Sequence, residues 1–272
     1  MNLLINSLIV LLVLFIIYLF MIAPKMLKRT DRTPFYHVHY AHRGLFDNNS
    51  AAPENSLAAF QKAVDAGYGI ELDVQLSKDN KLVVFHDATL KRMCGVDGKV
   101  WDYTLAELKQ FKLASSNETI PTFEEFLKIV DGKVPFILEF KLDRVQTTVC
   151  ELANEVLKSY TGTYCIESFH PLALIWYRKN RPDVLRGQLC EEFFRNETYK
   201  GKLLYRILPY LPFNFLTRPD FVAYNHLHAH NISRRIAKAL GGLSVAYTIK
   251  SVEEYEAAKD KFDLFIFDSC IL

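Results

Sequence analysis

The stretch "GIELDVQLSKDNKLVVFHD", residues 69–87, contains two apolar runs of strand length that are separated by a polar turn. Within the first run, Glu71 and Asp73 are two residues apart, so both side chains leave the same face of a strand. Two carboxylates held that close repel each other unless a cation or a proton lies between them. The pair therefore indicates either a cation site or, as the simpler alternative, a salt-bridged pair on an edge strand that faces water.

Comparable runs recur outside this stretch and alternate with amphipathic segments of helix length. The strand candidates are residues 35–41, 69–76, 81–86, 135–140, 163–168, 183–189, 221–225, 243–248 and 263–268. Alternation of strands and helices favours a parallel sheet, and the number of units predicts a closed (β/α)8 TIM barrel rather than an open doubly wound sheet. Neither a GxGxxG segment nor a P-loop follows a strand candidate, which weakens a nucleotide-binding interpretation.

Composition limits the classes of protein to which this chain can belong. Half of its 272 residues are hydrophobic and its formal net charge is +2, which is typical of a globular domain rather than of a disordered or nucleic-acid-binding chain. The five cysteines lack the spacing of a zinc site, and we expect them to be reduced and mostly buried. No nucleic-acid partner is therefore expected, and no protein partner is implied.

The beginning of the chain is almost entirely apolar: from Leu3 to Ala23, only Asn6 and Ser7 interrupt the run. At about 1.5 Å per residue this run reaches about 30 Å, the thickness of a membrane's hydrocarbon core. A secretory signal peptide is the alternative, but no basic residue precedes the run and no small-x-small cleavage site follows it. We therefore expect residues 1–24 to form a transmembrane anchor.

Basic residues follow this apolar run and none precedes it. They are Lys25, Lys28, Arg29 and Arg32. The positive-inside rule then places the remainder of the chain in the cytoplasm, at the inner side of the cell membrane. The predicted organisation is a single-pass anchor over residues 1–24, a basic linker over residues 25–34 and one barrel domain over residues 35–272.

Polar residues cluster where the first strand candidates end. His42 and His86 follow two apolar runs, and Glu139 ends another, with Lys141 two residues beyond it. In an α/β barrel the carboxyl ends of the strands form the face on which catalytic groups assemble. Together with the acidic pair of the opening stretch, Glu139 makes three carboxylates without a nearby cysteine. Such a set favours an oxygen-binding divalent cation, Mg²⁺ or Ca²⁺, over zinc.

This set of side chains suits the cleavage of a phosphodiester. The reaction needs neutralisation of the phosphate charge, a base for the nucleophile and an acid for the leaving oxygen. A metal cation, Arg43 and Lys141 could meet the first need, because guanidinium and ammonium groups both bind phosphate. Two histidines, which titrate near neutral pH, could meet the other two.

Six motifs occur in a fixed order along the chain: "AHRG", "PENSLAAF", "IELDVQLSKDNKLVVFHD", "VWDYTLAEL", "IPTFEEFL" and "ILEFK". The ordered set strongly resembles the glycerophosphodiester phosphodiesterase family. The resemblance extends over residues 37–268. It implies a metal-dependent TIM barrel of the phospholipase-C-like phosphodiesterase type.

Individual residues have expected roles through this resemblance. The catalytic acid and base are His42 and His86, in an order that the sequence leaves open. The phosphate contacts are Arg43 and Lys141. The ligands of one divalent cation, Mg²⁺ or Ca²⁺, are Glu71, Asp73 and Glu139. The implied reaction is hydrolysis of a glycerophosphodiester to glycerol 3-phosphate and an alcohol, either by direct attack of water or through a cyclic phosphate.

Two other functions remain as alternatives. A lysophospholipase D or related lipid phosphodiesterase is one, because the anchor and an apolar insertion at residues 190–218 suit a lysophospholipid substrate. That insertion is either an apolar wall for a lipid chain or a segment that packs on the barrel rim. A catalytically inactive, membrane-tethered binding barrel is the alternative of a different class, although no expected catalytic residue is missing.

Several residues near these motifs have two interpretations. Glu54 could act at the site, but the segment "PENS" also has the pattern of a capped helix start. Asp87 could orient an imidazole or only serve a turn. Cys94 has no base visibly paired with it, so nucleophilic catalysis is not expected. Tyr247 stands where the family usually has Trp, which leaves the shape of the substrate pocket open.

Overall fold

The computed structural model describes residues 2–142, 145–195, 197–199 and 201–272. The strands in this part of the chain are β1 (His39–His42), β2 (Gly69–Leu76), β3 (Leu82–Val84), β4 (Phe136–Phe140), β5 (Tyr164–Ser168), β6 (Arg186–Cys190), β7 (Phe221–Asn225), β8 (Leu243–Ile249) and β9 (Leu264–Phe267). All except β3 run parallel, and β1 pairs with both β2 and β9, so the sheet closes on itself. β3 pairs antiparallel with β2. The predicted (β/α)8 TIM barrel is confirmed.

Helices alternate with the strands and cover the barrel. They are α1 (Asn2–Ile22), α2 (Leu57–Asp65), α3 (Lys91–Cys94), α4 (Leu105–Leu108), α5 (Phe123–Val130), α6 (Thr148–Leu157), α7 (Pro171–Asn180), α8 (Leu203–Ile207), α9 (Asn214–Thr217), α10 (Ile232–Ala239) and α11 (Val252–Ala258). Side chains fix several helix starts. At α5, Thr122 Oγ1 accepts from the Glu125 N–H while the Glu125 carboxylate accepts from the Thr122 N–H. Such a capping box contributes about 1 kcal/mol.

The first strand begins later than the sequence predicts. Residues 35–41 were expected, whereas β1 runs over His39–His42. Thr33–Phe35 instead forms a 3-10 helix with a proline at its start. His37 then has a φ of 60°, a left-handed conformation that a strand cannot contain. The other predicted strands are present, with ends shifted by a few residues.

Residues of β2 alternate between the helix layer and the barrel interior. Ile70, Leu72 and Val74 belong to the apolar cluster beneath the helices. Glu71 and Asp73 alternate with them and are 2% and 0% exposed. Because β2 is hydrogen-bonded to β1 and β4 on its two sides, it is not an edge strand. The alternative of a water-facing acidic pair is therefore wrong.

Strand register places the polar residues at one level of the barrel. His42 lies opposite Glu71 in the β1–β2 pair. Asp73 lies opposite Glu139 in the β2–β4 pair, and Glu139 lies opposite Glu167 in the β4–β5 pair. Each strand ends within a few residues of this level, so the polar groups collect at the C-terminal end of the barrel.

Helix α1 is long and apolar enough to cross a membrane, and a secretory signal sequence would meet the same criteria. Only its last turns meet the barrel. Ile22 is fully buried, and its carbonyl accepts a hydrogen bond from Asn214 Nδ2 at 3.0 Å. The hydroxyls of Tyr18 and Ser233 are 2.7 Å apart. Helix α1 therefore docks on α9 and α10, and its remaining length is exposed.

The basic linker binds the end of the barrel that is opposite to the acidic residues. The Lys25 N–H donates to the carbonyl of Pro219 at 2.9 Å. Arg32 donates to the carbonyls of Gly241 and Asp220 at 2.8 and 3.0 Å. These acceptors immediately precede β7 and β8. The linker therefore lies on the end formed by the N-termini of the strands, which we call the basal face.

The insertion at residues 190–218 leads from the end of β6 to the basal face, and its residues 196 and 200 lie outside the described residues. Parts of it pack on the barrel: the ring of Phe193 lies 5.9 Å from that of Phe169, and α9 contacts α7. Helix α8 is different, since Leu203 and Leu204 are 71% and 53% exposed. The insertion thus combines a packed segment with an exposed apolar helix.

All five cysteines are unpaired, and Cys150, Cys165 and Cys190 are buried. Burial raises the pKa of Cys94 to about 11, so that its thiol is protonated at neutral pH. Three of the five cysteines are therefore buried, as expected, and Cys94 is a poor nucleophile.

Candidate active site

Three carboxylates from β2 and β4 meet inside the C-terminal end of the barrel. One oxygen each from Glu71, Asp73 and Glu139 lies within 4.8 Å of the others. All three residues are buried. We call them the acidic triad. A donor set of oxygens alone suits Mg²⁺ or Ca²⁺ better than zinc, so the acidic triad could hold a divalent cation.

Two predicted phosphate contacts lie against the acidic triad. Lys141 Nζ is 2.6 Å from Glu139 Oε1 and 3.0 Å from Asp73 Oδ1. Arg43 Nε is 3.4 Å from Asp73 Oδ2. When all three carboxylates are ionised, the triad carries three negative charges, and Lys141 and Arg43 together carry two positive charges. The site therefore attracts a further positive charge.

Burial and neighbouring charges shift the pKa values of two triad carboxylates in opposite directions. Burial, and then repulsion by Asp73 and Glu139, raises the pKa of Glu71 well above its usual range. Burial would also raise the pKa of Asp73, but Lys141 and Arg43 help to hold it well below its usual value. Glu71 is therefore the triad carboxylate whose ionised form gains most from a bound cation.

Each predicted catalytic histidine is paired with an aspartate through Nδ1. His42 Nδ1 is 2.9 Å from Asp268 Oδ2, and His86 Nδ1 is 2.7 Å from Asp87 Oδ1. Burial opposes ionisation of both aspartates, but the hydrogen bonds from His42 and His86 lower the pKa of Asp268 and of Asp87. Ionised aspartates accept hydrogen bonds, so each Nδ1 carries a proton and each Nε2 is left for chemistry. His42 Nε2 lies 3.9 Å from Glu71 Oε2, on the side of the triad.

The segment "PENS" supplies both a helix cap and a contact to the triad. Ser56 caps α2, because its Oγ accepts from the Ala59 N–H at 3.1 Å. Asn55 Nδ2 donates to Asp73 Oδ2 at 2.9 Å. The φ of Asn55 is 55°, a left-handed conformation that asparagine adopts more readily than most residues. The predicted cap is confirmed at Ser56, and Asn55 orients a triad carboxylate.

Glu54 lies behind Arg43 rather than at the triad. It accepts hydrogen bonds from Arg43 Nη1 and Arg92 Nη2, both at 2.7 Å. Arg92 Nε in turn donates to Asp87 Oδ2 at 2.7 Å. Burial would raise the pKa of Glu54, but Arg92 and Arg43 lower it to about 2. A continuous ionic network therefore connects Arg43 with the aspartate that orients His86.

Three residues in the site have no role in the sequence-based prediction. Asp268 could have been found by the rule that selected Glu139, because it also lies at the end of a strand candidate, residues 263–268. Arg92 has no such signal, since it lies on the short helix α3. Glu167 is the third: burial, and then Glu139, raises its pKa well above the usual range, and it adds a fourth buried carboxyl beside the triad.

Tyr247, at the position where the family usually has Trp, brings an aromatic side chain to the same end of the barrel. The Tyr247 hydroxyl donates to the carbonyl of Cys190 at 2.9 Å. Its ring lies 6.2 Å from that of Phe169, in an edge-to-face arrangement. These contacts connect β8 with the start of the insertion, and they fix one wall of the site.

Solved structures of phosphodiesterases share this architecture. The chain is similar to an Oleispira antarctica phosphodiesterase solved with the product sn-glycerol-3-phosphate, with a TM-score of 0.70 and 25% identity over 86% of this chain and 93% of the other. It is also similar to a glycerophosphodiester phosphodiesterase from Thermotoga maritima, with a TM-score of 0.64 and 28% identity over 86% of this chain and 96% of the other.

Curated relatives match over a shorter length. A glycerophosphodiester phosphodiesterase of Caldanaerobacter subterraneus is 43% identical over 163 residues, 56% of this chain and 65% of the relative. A lysophospholipase D of Rattus norvegicus is 30% identical over 150 residues, 50% of this chain and 46% of the relative. The chain thus spans less than two thirds of the curated relatives that it matches.

The part of the chain that contains both histidines and the acidic triad is also the part that a family model describes. Residues 42–260 match the model of the glycerophosphoryl diester phosphodiesterase family, and this chain belongs to that family.

Proposed function

We propose that this chain hydrolyses a glycerophosphodiester to glycerol 3-phosphate and an alcohol with the help of a divalent cation. The observation that carries the proposal is the placement of two histidine–aspartate pairs at the barrel end that holds the buried acidic triad. Phosphodiester cleavage needs a base, an acid and positive charge at one site. The sn-glycerol-3-phosphate bound to the Oleispira relative supports this class of substrate.

Glu71, Asp73 and Glu139 would hold the cation, Mg²⁺ or Ca²⁺. Their fit rests on three buried oxygen donors within 4.8 Å of one another and on their excess of negative charge. When bound, such a cation offers positive charge to a phosphate oxygen. Asn55 and Lys141 orient the Asp73 carboxylate at 2.9 and 3.0 Å, which prepares the triad for the ion.

The two histidines would move the protons of the reaction. A neutral imidazole whose Nδ1–H is donated to an aspartate accepts a proton at Nε2. One of His42 and His86 takes the proton of the attacking oxygen, and the other, in its protonated form, gives a proton to the leaving oxygen. One proton is taken up and one is given whether water or a glycerol hydroxyl attacks phosphorus.

Arg43 and Lys141 are proposed to contact the phosphate. Lys141 Nζ has three N–H groups, and Glu139 and Asp73 account for two of them. Arg43 is held from behind by Glu54 at 2.7 Å, which fixes its guanidinium while other N–H groups stay unused. Both side chains therefore have donors left for a substrate.

The proposed domain organisation is an anchor over residues 1–24, a linker over residues 25–34 and a catalytic barrel over residues 35–272, on the cytoplasmic side of the cell membrane. Support comes from the exposed apolar length of α1 and from the basic residues that follow it.

A lysophospholipase D activity is the second candidate. Helix α8 favours it, because Leu203, Leu204 and Ile207 are 71%, 53% and 45% exposed. The insertion that carries α8 begins at Cys190, at the same barrel end as the triad. A lipid chain could therefore rest on α8 while its headgroup occupies the site.

The full chain, purified in detergent, provides the test. Glycerophosphocholine and lysophosphatidylcholine would be assayed with Mg²⁺, Ca²⁺ or a chelator. We expect chelation to abolish hydrolysis, readdition of metal to restore it, and His42→Ala or His86→Ala to lower it by about 10²- to 10⁴-fold. His37→Asn, at an exposed residue that already has a left-handed φ, is the matched control. Hydrolysis that survives both chelation and His42→Ala would overturn the proposal.

Leu203→Ser combined with Leu204→Ser separates the two substrates. A selective loss of lysophosphatidylcholine hydrolysis would support the second candidate. Equal activity of the variant and the parent on both substrates would exclude α8 from lipid recognition.

A further inference from the structure

A groove of about 1020 Å³ lies between α1 and the basal face, at the opposite end of the barrel from the acidic triad. Linker residues 24–28, the end of α7 and the loops before β6 and β7 form its walls. The mechanism proposed above uses none of these residues. The groove is therefore a separate feature of the molecule.

One wall of the groove is an apolar face of α1. Ile16, Leu19, Phe20 and Ala23 line it, at spacings that place them on one side of the helix. This wall is about 10 Å long at about 1.5 Å per residue. It continues into the apolar part of α1 over residues 3–17, which is exposed. A hydrocarbon chain beside α1 could therefore extend into the groove without crossing a polar surface.

Arg218 stands at the inner end of this wall. Its Nη1 donates to the carbonyls of Phe20 and Ala23 at 3.1 and 3.0 Å. Its guanidinium carbon lies 4.5 Å from the centre of the Phe20 ring. These contacts fix the guanidinium beside the apolar wall but do not neutralise its charge, because carbonyl groups and aromatic rings are uncharged.

Arg178 provides a second cation at the groove. Its Nη1 donates to the carbonyls of Phe215 and Leu216, at 3.0 and 2.6 Å. Among the described residues, neither Arg178 nor Arg218 has a carboxylate within ion-pair distance, and Asp183, the carboxylate that lines the groove, is bound by Arg181 at 2.8 Å. Two uncompensated guanidiniums therefore face one end of an apolar groove.

We propose that this groove binds an anionic phospholipid, with its phosphate at Arg178 and Arg218 and an acyl chain along the α1 wall. A soluble anion would satisfy the guanidiniums but leave the apolar wall uncovered. A zwitterionic lipid would bring its own ammonium group near two cations. The proposal rests on the proposed anchor and is independent of the proposed reaction, because the groove and the triad lie at opposite ends of the barrel.

The test uses the full chain in phosphatidylcholine nanodiscs with or without phosphatidylglycerol. Native mass spectrometry of the released chain would count retained lipids. We expect one phosphatidylglycerol to be retained in preference to phosphatidylcholine. Arg178→Gln combined with Arg218→Gln should weaken this retention by about tenfold or more, since it removes both cations that attract the anionic headgroup. Lys179→Gln combined with Arg235→Gln removes the same charge at exposed positions outside the groove and should retain the lipid.

Three results would overturn the proposal: no preference for phosphatidylglycerol, an equal loss in the control pair, or displacement of the lipid by inorganic phosphate. Removal of α1 from the mature chain, visible in its intact mass, would overturn it too. Arg178→Gln alone, at an exposed position, should lose part of the phosphatidylglycerol retention. This single variant tests the proposal even if the double variant does not fold. Hydrolysis of glycerophosphocholine in detergent should be unchanged in every groove variant, so failure here leaves the proposed reaction unaffected.

Discussion

Arg43 and Lys141, at the C-terminal end of the barrel, are held differently from Arg32 and Arg218, at the basal face. At the C-terminal end, Arg43 and Lys141 contact carboxylates of the site and of the network behind it. At the basal face, Arg32 and Arg218 donate to backbone carbonyls. A carboxylate cancels the charge of its partner, whereas a carbonyl holds the side chain without cancelling it. Arg43 and Lys141 therefore balance a buried acidic site, whereas Arg32 and Arg218 keep a positive charge that no carboxylate among the described residues cancels at ion-pair distance.

This contrast predicts different consequences of substitution. At the C-terminal end, loss of one ionised group leaves a buried partner uncompensated, so we expect effects on activity and on pH dependence. At the basal face, Arg32 and Arg218 have no carboxylate within ion-pair distance among the described residues, so loss of either mainly removes hydrogen bonds to carbonyls. Four substitutions test the difference, from the largest expected effect to the smallest.

Glu139→Gln should lower kcat/KM by about 10³-fold, because a metal's contribution to charge stabilisation is worth several kcal/mol. Calorimetric titration with Mg²⁺ or Ca²⁺ should show a matching loss of metal binding. Glu155→Gln, which removes an exposed carboxylate paired with Lys158, is the matched control. Unchanged metal affinity in Glu139→Gln would contradict the assignment of the triad.

Asp268→Asn should lower kcat/KM by about 10²-fold with little change in structure. An asparagine can donate to His42 Nδ1 and so favours the tautomer with the proton on Nε2, which cannot act as a base. The pH profile of kcat/KM should lose its His42-dependent limb. Ser269→Ala, which removes a hydroxyl 2.9 Å from Asp268 Oδ1, should leave the profile in place.

Glu54→Gln should destabilise the fold by about 3 kcal/mol at neutral pH, because Arg43 and Arg92 lose a buried counter-ion. The folded-state pKa of Glu54, about 2, is below its usual value of 4.5, so its stabilising effect is present above about pH 4.5 and is lost as the pH falls towards 2. Urea unfolding at a series of pH values should show the variant and the parent converging in that window. A constant difference at all pH values would contradict the ionic role.

Arg32→Gln should cost about 2 kcal/mol of stability and leave kcat/KM unchanged. It removes hydrogen bonds from a charged donor to the carbonyls of Gly241 and Asp220, far from the triad. Thermal unfolding and glycerophosphocholine hydrolysis, measured on the same sample, give both values. A parallel loss of activity would show that the two ends of the barrel are coupled.

The barrel was predictable because its strands are short, apolar and separated by helices, which leaves few alternative topologies. The start of β1 was not, because a 3-10 helix and the left-handed His37 depend on how the linker meets the basal face. Local apolarity at residues 35–41 indicated a strand, and contacts with distant loops decided otherwise.

The site was predictable where one strand carries several groups, and less so where the groups come from distant segments. Glu71 and Asp73 share a face by spacing alone. Asp268 and His42 are 226 residues apart, so their pairing depends on barrel closure and has no local signal. Glu54 and Arg92 are 38 residues apart and meet only because α3 returns over the site.

The distance along the chain between His42 and Asp268 also has a kinetic consequence. Contacts of such high sequence separation carry a large loop-closure entropy and form late in folding. During refolding from urea, we expect far-UV ellipticity to recover before hydrolysis does, because helices form locally while the imidazole is oriented only when β9 meets β1. Hydrolysis would then appear only when the barrel has closed, and compact folding intermediates would be inactive.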